Sequence, residues 1–273
     1  MRRIDRNSLS RWLARGFGIL ALGCCMLAAG SSRADFPPFA PNDSPGRLIV
    51  LPGIHNTLFQ LDGFVEAAQL GLPNFVIERR RWGLPLMGIR NLRAAEDNLA
   101  FAQRVAADIA QWRRANPAEL LYLMGYSGGG GVASLVLGEL SAGVAIDRLI
   151  LVAPAISTRF DIERLAAAHV REFVVNYASV KDLQVGLGTR WFGTIDRRYE
   201  YAAGYDGFDD RFEKLVEWHW RASDRAFGHA GNHVAYLGRR WQREFLLPAV
   251  DPDLTAKGLA SAWEKRRESV AGH

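Results

Sequence analysis

The pentapeptide Gly125-Tyr126-Ser127-Gly128-Gly129 joins two segments of opposite habit. Residues 119–124 (ELLYLM) form a short apolar run that reads as a buried strand, and residues 132–140 (VASLVLGEL) read as a mostly buried helix. A Gly-x-Ser-x-Gly between a strand and a helix forces a tight turn. Its glycines let neighbouring backbone pass close, while the serine hydroxyl projects outward. Ser127 is thus a candidate nucleophile. The competing reading of Gly128-Gly129-Gly130-Gly131 is a flexible or phosphate-cradling loop, but the Gly-Lys-Ser/Thr ending of a phosphate loop is missing.

The N-terminus carries Arg2, Arg3, Arg6, Arg11 and Arg15, then an apolar stretch over residues 17–29, then Ser32-Arg33-Ala34. That layout predicts a secretory signal peptide over residues 1–34, and hence export to the periplasm or beyond. An uncleaved anchor is the alternative. Leu20-Ala21-Leu22-Gly23-Cys24 is a poor lipoprotein site, with alanine at the third position before the cysteine. Cleavage after Ala34 would remove both cysteines, leaving no disulfide or thiol chemistry. It would also remove six arginines and one aspartate from 34 basic and 29 acidic residues, leaving 28 of each. The basic balance belongs to the leader, so no nucleic-acid partner is expected. Arg79-Arg80-Arg81 and Lys265-Arg266-Arg267 read as solvated faces.

About 239 residues then remain, enough for one domain with a substantial core. Residues 35–46 are a proline-rich lead-in, residues 47–250 the domain and residues 251–273 a C-terminal tail. Apolar runs at 47–51, 74–78, 119–124, 148–153 and 172–177 predict five strands. Residues 214–220 (KLVEWHW) fit a sixth strand, with a helix as the competing reading. The spacing of Leu99, Val105, Ile109 and Trp112 predicts a helix over residues 92–114, stopped at Asn116-Pro117. Strand–helix alternation predicts an α/β fold with a mostly parallel sheet and helices on both faces.

A serine hydroxyl becomes nucleophilic when a histidine takes its proton, and the imidazole needs a carboxylate to orient it. Asp182 follows the fifth strand through a short turn, where parallel sheets place their chemistry. Its structural alternative is a helix N-cap. Asp196, Asp206 and Asp209 are rivals further on. His229 and His233, in FGHAGNH at residues 227–233, are the candidate bases. Their spacing also invites a metal reading, but no His-Glu-x-x-His and no third ligand accompany them, so no metal is expected. His55, His169 and His219 are weaker candidates.

Gly125 to Gly129 on a strand–turn–helix, Asp182 after a strand and Gly231-Asn232-His233 before a predicted helix over 236–246 together resemble the α/β-hydrolase superfamily, especially exported bacterial serine esterases and lipase-like proteins. The resemblance spans residues 48–247. It implies the chain order Ser127, Asp182, His233, with His233 as the base; His229, where it is not the base, lines the site or hydrogen-bonds the loop. It also implies an oxyanion hole from the amides of Gly128 and Ile54, in the loop at residues 51–56. The implied reaction is hydrolysis of a carboxylic ester through an acyl-enzyme intermediate, with neither metal nor organic cofactor. A thioesterase or peptidase on the same residues, or a non-catalytic envelope protein keeping the fold, are the other readings. The expected partner is a small-molecule or lipid ester, with membrane contact only through an uncleaved or lipidated leader. The fold's usual first two strands have no room before Leu48, and residues 153–171 are too few for a large cap. Aromatic residues between 187 and 208 are expected to border the mouth.

Overall fold

A computed structural model describes residues 44–271. The predicted leader lies outside the described residues, as does most of the proline-rich lead-in. Six strands form one parallel sheet: β1 (Gly46–Leu51), β2 (Phe75–Arg79), β3 (Leu120–Tyr126), β4 (Ile146–Val152), β5 (Val170–Ala178) and β6 (Leu215–His219), in the order β2-β1-β3-β4-β5-β6. Strands β1, β3 and β4 are buried almost throughout, as strands covered on both faces must be. Leu48 and Val50 point into one core layer, and Ile49 and Leu51 into the other, following the two-residue period.

The two outer layers are built by helices α1 (Asp62–Gly71), α2 (Gly88–Arg93), α3 (Ala95–Ala115), α4 (Gly128–Gly138), α5 (Ile162–His169), α6 (Leu183–Phe192), α7 (Ala203–Asp206) and α8 (Ala256–Ala271), together with irregular helical turns over 233–250. Phe64 and Val65 of α1, Trp241, Phe245 and α8 residues Leu259 and Trp263 pack on one face. Phe101, Val105 and Ile109 of α3, Val132 and Val136 of α4 and Leu165 of α5 pack on the other. A parallel sheet between two helical layers is the architecture the alternation predicted.

Three segments differ from the expectation. The helix expected over 92–114 is two helices broken at Ala94, where Asn98 Nδ2 donates to Asn91 O across the break at 3.0 Å. The α3 face that enters the core runs through Asn98, Phe101, Val105 and Ile109, leaving Leu99 exposed. Residues 236–246 are not a regular helix. A 3₁₀ turn (His233–Leu237), a helical turn (Arg239–Trp241), a π segment (Gln242–Leu246) and another 3₁₀ turn (Leu247–Val250) follow one another. Pro248 has no N–H to continue the ladder, and the carbonyl of Phe245 instead accepts from Tyr177 Oη at 2.6 Å and Trp263 Nε1 at 3.0 Å. Residues 251–271 also join the core. Leu259 and Trp263 are buried, and Arg267, expected on a solvated face, is buried against Asp224 and the ring of Trp218.

Arg148 fastens this C-terminal region to the sheet. Its fully buried guanidinium donates to the carbonyls of Ala249, Asp251, Pro252 and Leu254, pairs with Glu172 and lies over the rings of Tyr122 and Phe173. A buried guanidinium with every direction satisfied is stable, and one stripped of those partners is not.

Candidate active site

Ser127 adopts φ 56° and ψ −123°, a region that a side chain makes costly by about 1–3 kcal/mol. The surroundings hold it there. Its amide donates to Val152 O at 2.8 Å, and its carbonyl accepts from Gly130 N at 3.0 Å and Ala155 N at 3.0 Å. The glycines at 125 and 129 are required by close approach. A Cβ at Gly125 would fall 2.2 Å from Gly129 O, and one at Gly129 would fall 2.3 Å from Pro52 O. Ser127 thus stands on a strained turn between β3 and α4, as its flanking pattern predicted, and the flexible-loop reading fails. The N–H of Gly128, first residue of α4, has no intrahelical acceptor.

Asp182 makes two contacts, one to a helix N-terminus and one to an imidazole. Fully buried after β5, it accepts from Val185 N at 3.1 Å as the N-cap of α6, and its other oxygen meets His233 Nδ1 at 2.7 Å. The turns bearing the two residues are tied together by Ser179 Oγ, which donates to Gly231 O at 2.7 Å. A carboxylate on Nδ1 fixes the proton there and leaves Nε2 as the acceptor. The imidazole of His233 stacks on Tyr126, the residue before Ser127, at 4.9 Å between ring centres and 23° between planes. Tyr126 Oη also donates to the carbonyl of His233 at 2.9 Å. The ring is held through its face, its Nδ1 and its own backbone.

Ile54 adjoins the turn: a Cβ on Gly128 would lie 2.3 Å from Ile54 Cγ2 and 2.9 Å from Trp82. The loop carrying Ile54 is pinned by residues that pattern reading passed over. Trp82 Nε1 donates to Pro52 O at 2.7 Å, and Asn91 Nδ2 donates to Ile54 O at 2.7 Å. Asn56 Oδ1 accepts from the amides of Trp82 and Gly83 at 2.9 and 3.1 Å. No sequence pattern marks this network: Asn91 stands between Arg90 and Leu92, and Asn56 lies in a loop.

The other candidates fall elsewhere. His229 takes the second of its two alternatives, a hydrogen bond within the loop: it is wholly buried among Trp218, Tyr236 and Trp241, and its Nδ1 accepts from Gly231 N at 3.1 Å. Burial pushes its pKa down to about 3. Asp196 accepts from Ser157 N and pairs with Arg198, away from both histidines. His169 bonds Val144 O, and His219 pairs with Glu217. His55 lies near His233; burial lowers its pKa first, opposed by its bond with Leu86, and the charge of His233 lowers it further. In the aromatic stretch Ile195 and Phe208 are buried, whereas Trp191 and Tyr199 are half exposed, so core packing and surface share it. Among the described residues no cluster of three or more metal-ligating side chains occurs.

Among the described residues, one parallel sheet in the order β2-β1-β3-β4-β5-β6, a serine on a strained strand–helix turn after β3, an acid after β5 and a histidine after β6 decide the architecture. The chain has an α/β-hydrolase fold. No family model matches it, and no curated protein does. Similar solved structures include an acetylxylan esterase, at 13% identity, TM-score 0.45, and 77% of this chain and 98% of that one covered. A thioesterase of the prodiginine biosynthetic pathway of Streptomyces coelicolor matches at 12% identity and TM-score 0.42, over 80% of this chain and 91% of that one. Est1E from Butyrivibrio proteoclasticus matches at 12% identity and TM-score 0.40, over 77% and 90% of the respective chains.

Proposed function

We propose that this α/β-hydrolase is a serine hydrolase that cleaves carboxylic esters through Ser127, His233 and Asp182. One observation carries the reading: the buried bond of 2.7 Å between His233 Nδ1 and Asp182, with the imidazole lying on the ring next to Ser127. Nothing in core packing alone calls for a buried carboxylate and imidazole beside a strained serine.

In the proposed reaction Ser127 Oγ adds to the ester carbonyl while His233 Nε2 takes the hydroxyl proton. Asp182 steadies the imidazolium that forms. The developing oxyanion is met by the amides of Gly128 and Ile54. The tetrahedral intermediate collapses, the alcohol leaves with the proton from His233, and an acyl-Ser127 ester remains. Water then adds to the acyl carbon, giving its proton to His233. The second intermediate releases the acid, and Ser127 recovers its proton.

Labelling with a fluorophosphonate probe tests this directly. Wild type should be labelled and Ser127→Ala should not, and wild type should hydrolyse p-nitrophenyl esters. A well-folded wild type that neither labels nor turns over any ester would sink the proposal. Hydrolysis of thioesters or amides in preference to esters would move it to the sister chemistry. We also propose export, tested by N-terminal sequencing of the protein recovered from the native cell envelope; an intact residue 1 on soluble protein in the cytoplasm would refute it.

A further inference from the structure

Residues 81–93 (RWGLPLMGIRNLR) hold three arginines, no acidic residue and four apolar side chains turned outward. Leu84, Leu86, Met87 and Ile89 are 48%, 70%, 52% and 45% exposed. The segment is nonetheless fixed. Trp82 and Asn91 anchor it underneath, and Leu86 is held at φ 63° by its amide bond of 2.8 Å to His55 O. Exposed leucine in a strained turn, braced from below, is costly in water and calls for a partner.

Beside these side chains lies a groove of about 310 Å³, lined by Leu84, Arg81, Arg90, Arg104 and the single carboxylate Asp97, among others. Arg81, Arg90 and Arg104 are exposed and form no ion pair among the described residues, whereas Arg79 and Arg80 of the same run are paired with Asp62 and with Glu78 and Asp108. Helix α2 touches α6, whose exposed Leu183 follows Asp182, while exposed Val180 precedes it and Val234 follows His233. Apolar side chains therefore border the candidate acid and base as well.

We propose that this face docks on an anionic lipid surface. Leu84, Leu86, Met87 and Ile89 enter the boundary between headgroups and acyl chains, and Arg81, Arg90 and Arg104 bear on lipid phosphates. A single bound phosphate would be held by buried, convergent donors. Three exposed guanidinium groups spread around a projecting apolar turn suit a plane of many phosphates, where apolar burial and charge add. The inference goes beyond ester hydrolysis and does not need Ser127 to react. If both hold, docking sets the candidate nucleophile against esters borne by the membrane.

The test uses the full chain with Cys24→Ser and Cys25→Ser, and Met87→Cys carrying a polarity-sensitive NBD label. Vesicles of phosphatidylcholine, alone or mixed with phosphatidylglycerol, are added. The label should brighten and shift to the blue on the mixed vesicles only. Changing Arg81, Arg90 and Arg104 together to alanine should weaken the response by about a hundredfold, at roughly fivefold per arginine, and changing them to lysine should retain most of it. The label reports its own surroundings, so the N-terminal apolar segment common to all variants does not create the signal. A label at Ala142→Cys, exposed in the turn between α4 and β4 at the opposite end of the sheet, should stay dark. No change at residue 87, an equal change at residues 87 and 142, an equal response to both vesicles, or abolition by inorganic phosphate at matched ionic strength would each overturn the proposal. Because the readout needs no turnover, its failure is separate from failure of the esterase reading.

Discussion

His229 and His233 stand four residues apart in one loop, and their surroundings could hardly differ more. His233 is held at its edge by a carboxylate and on its face by Tyr126, with Nε2 left to act. His229 lies among three aromatic rings, and burial holds it neutral with a pKa of about 3. A base must gain and lose a proton within its working range. The first environment permits that, and the second forbids it until the fold itself is threatened. What separates the proposed base from the structural imidazole is the partner offered to Nδ1: a carboxyl oxygen in one case, a backbone amide in the other.

The contrast can be broken hardest at Ser127 and His233. Alanine at either should lower kcat by about a million-fold, because residues acting as one unit fail together. A residual rate within tenfold of wild type at His233→Ala would end the assignment. Asp182→Asn should cost about ten-thousand-fold in kcat by stabilising the wrong tautomer, and as an N-cap the amide oxygen still serves Val185, so the thermal midpoint should move little. A large loss of stability with little loss of kcat would make Asp182 a cap only.

His229→Gln sharpens the other half. Its kcat per folded molecule should stay within about threefold of wild type, since the side chain lies outside the proposed chemistry. Its signature is acid stability. Folded His229 protonates near pH 3, whereas the unfolded chain protonates near the ordinary value of 6.5. Between these the unfolded state binds more protons, so wild-type stability is full above about pH 6.5 and falls as pH drops toward 3. Thermal midpoints measured from pH 7.5 to 4 should fall less steeply in His229→Gln; parallel curves would show that His229 is not the buried neutral group described. The smallest effect belongs to Tyr126→Phe. It keeps the stacked ring and loses the bond to His233 O, which should lower kcat by up to about tenfold with KM unchanged. A change in KM alone would place Tyr126 against substrate instead of behind the base.

Much of this was legible in the sequence because it depends on short-range rules. The glycines at 125 and 129 mark the turn, the apolar runs mark the strands, and Asp182 sits one turn past the end of β5. The choice between the two alternatives for His229 was not legible, because its cage is built from residues at 218, 236 and 241, whose convergence depends on the packing of β6 against an irregular helical stretch. Helical periodicity could not anticipate the π segment, whose Phe245 carbonyl is taken by side chains distant in sequence, Tyr177 Oη and Trp263 Nε1. The network of Asn56, Trp82 and Asn91 was equally hidden, since buried asparagines obey no period. The stretch labelled a tail looked polar, and α8 buries only Leu259, Trp263 and Arg267 along one narrow side.

The clamp at Arg148 sets a schedule for making the protein. Four of its acceptors are carbonyls between residues 249 and 254, and the chain is synthesised from its N-terminus. The strand β4 therefore emerges with a cation that has nowhere to go in the closed core until about a hundred further residues have followed, as the separations of 101 to 106 residues to its acceptors record. Until then the sheet cannot seal, and the turn at Ser127, complete in sequence long before, has no rigid surroundings to enforce its strain.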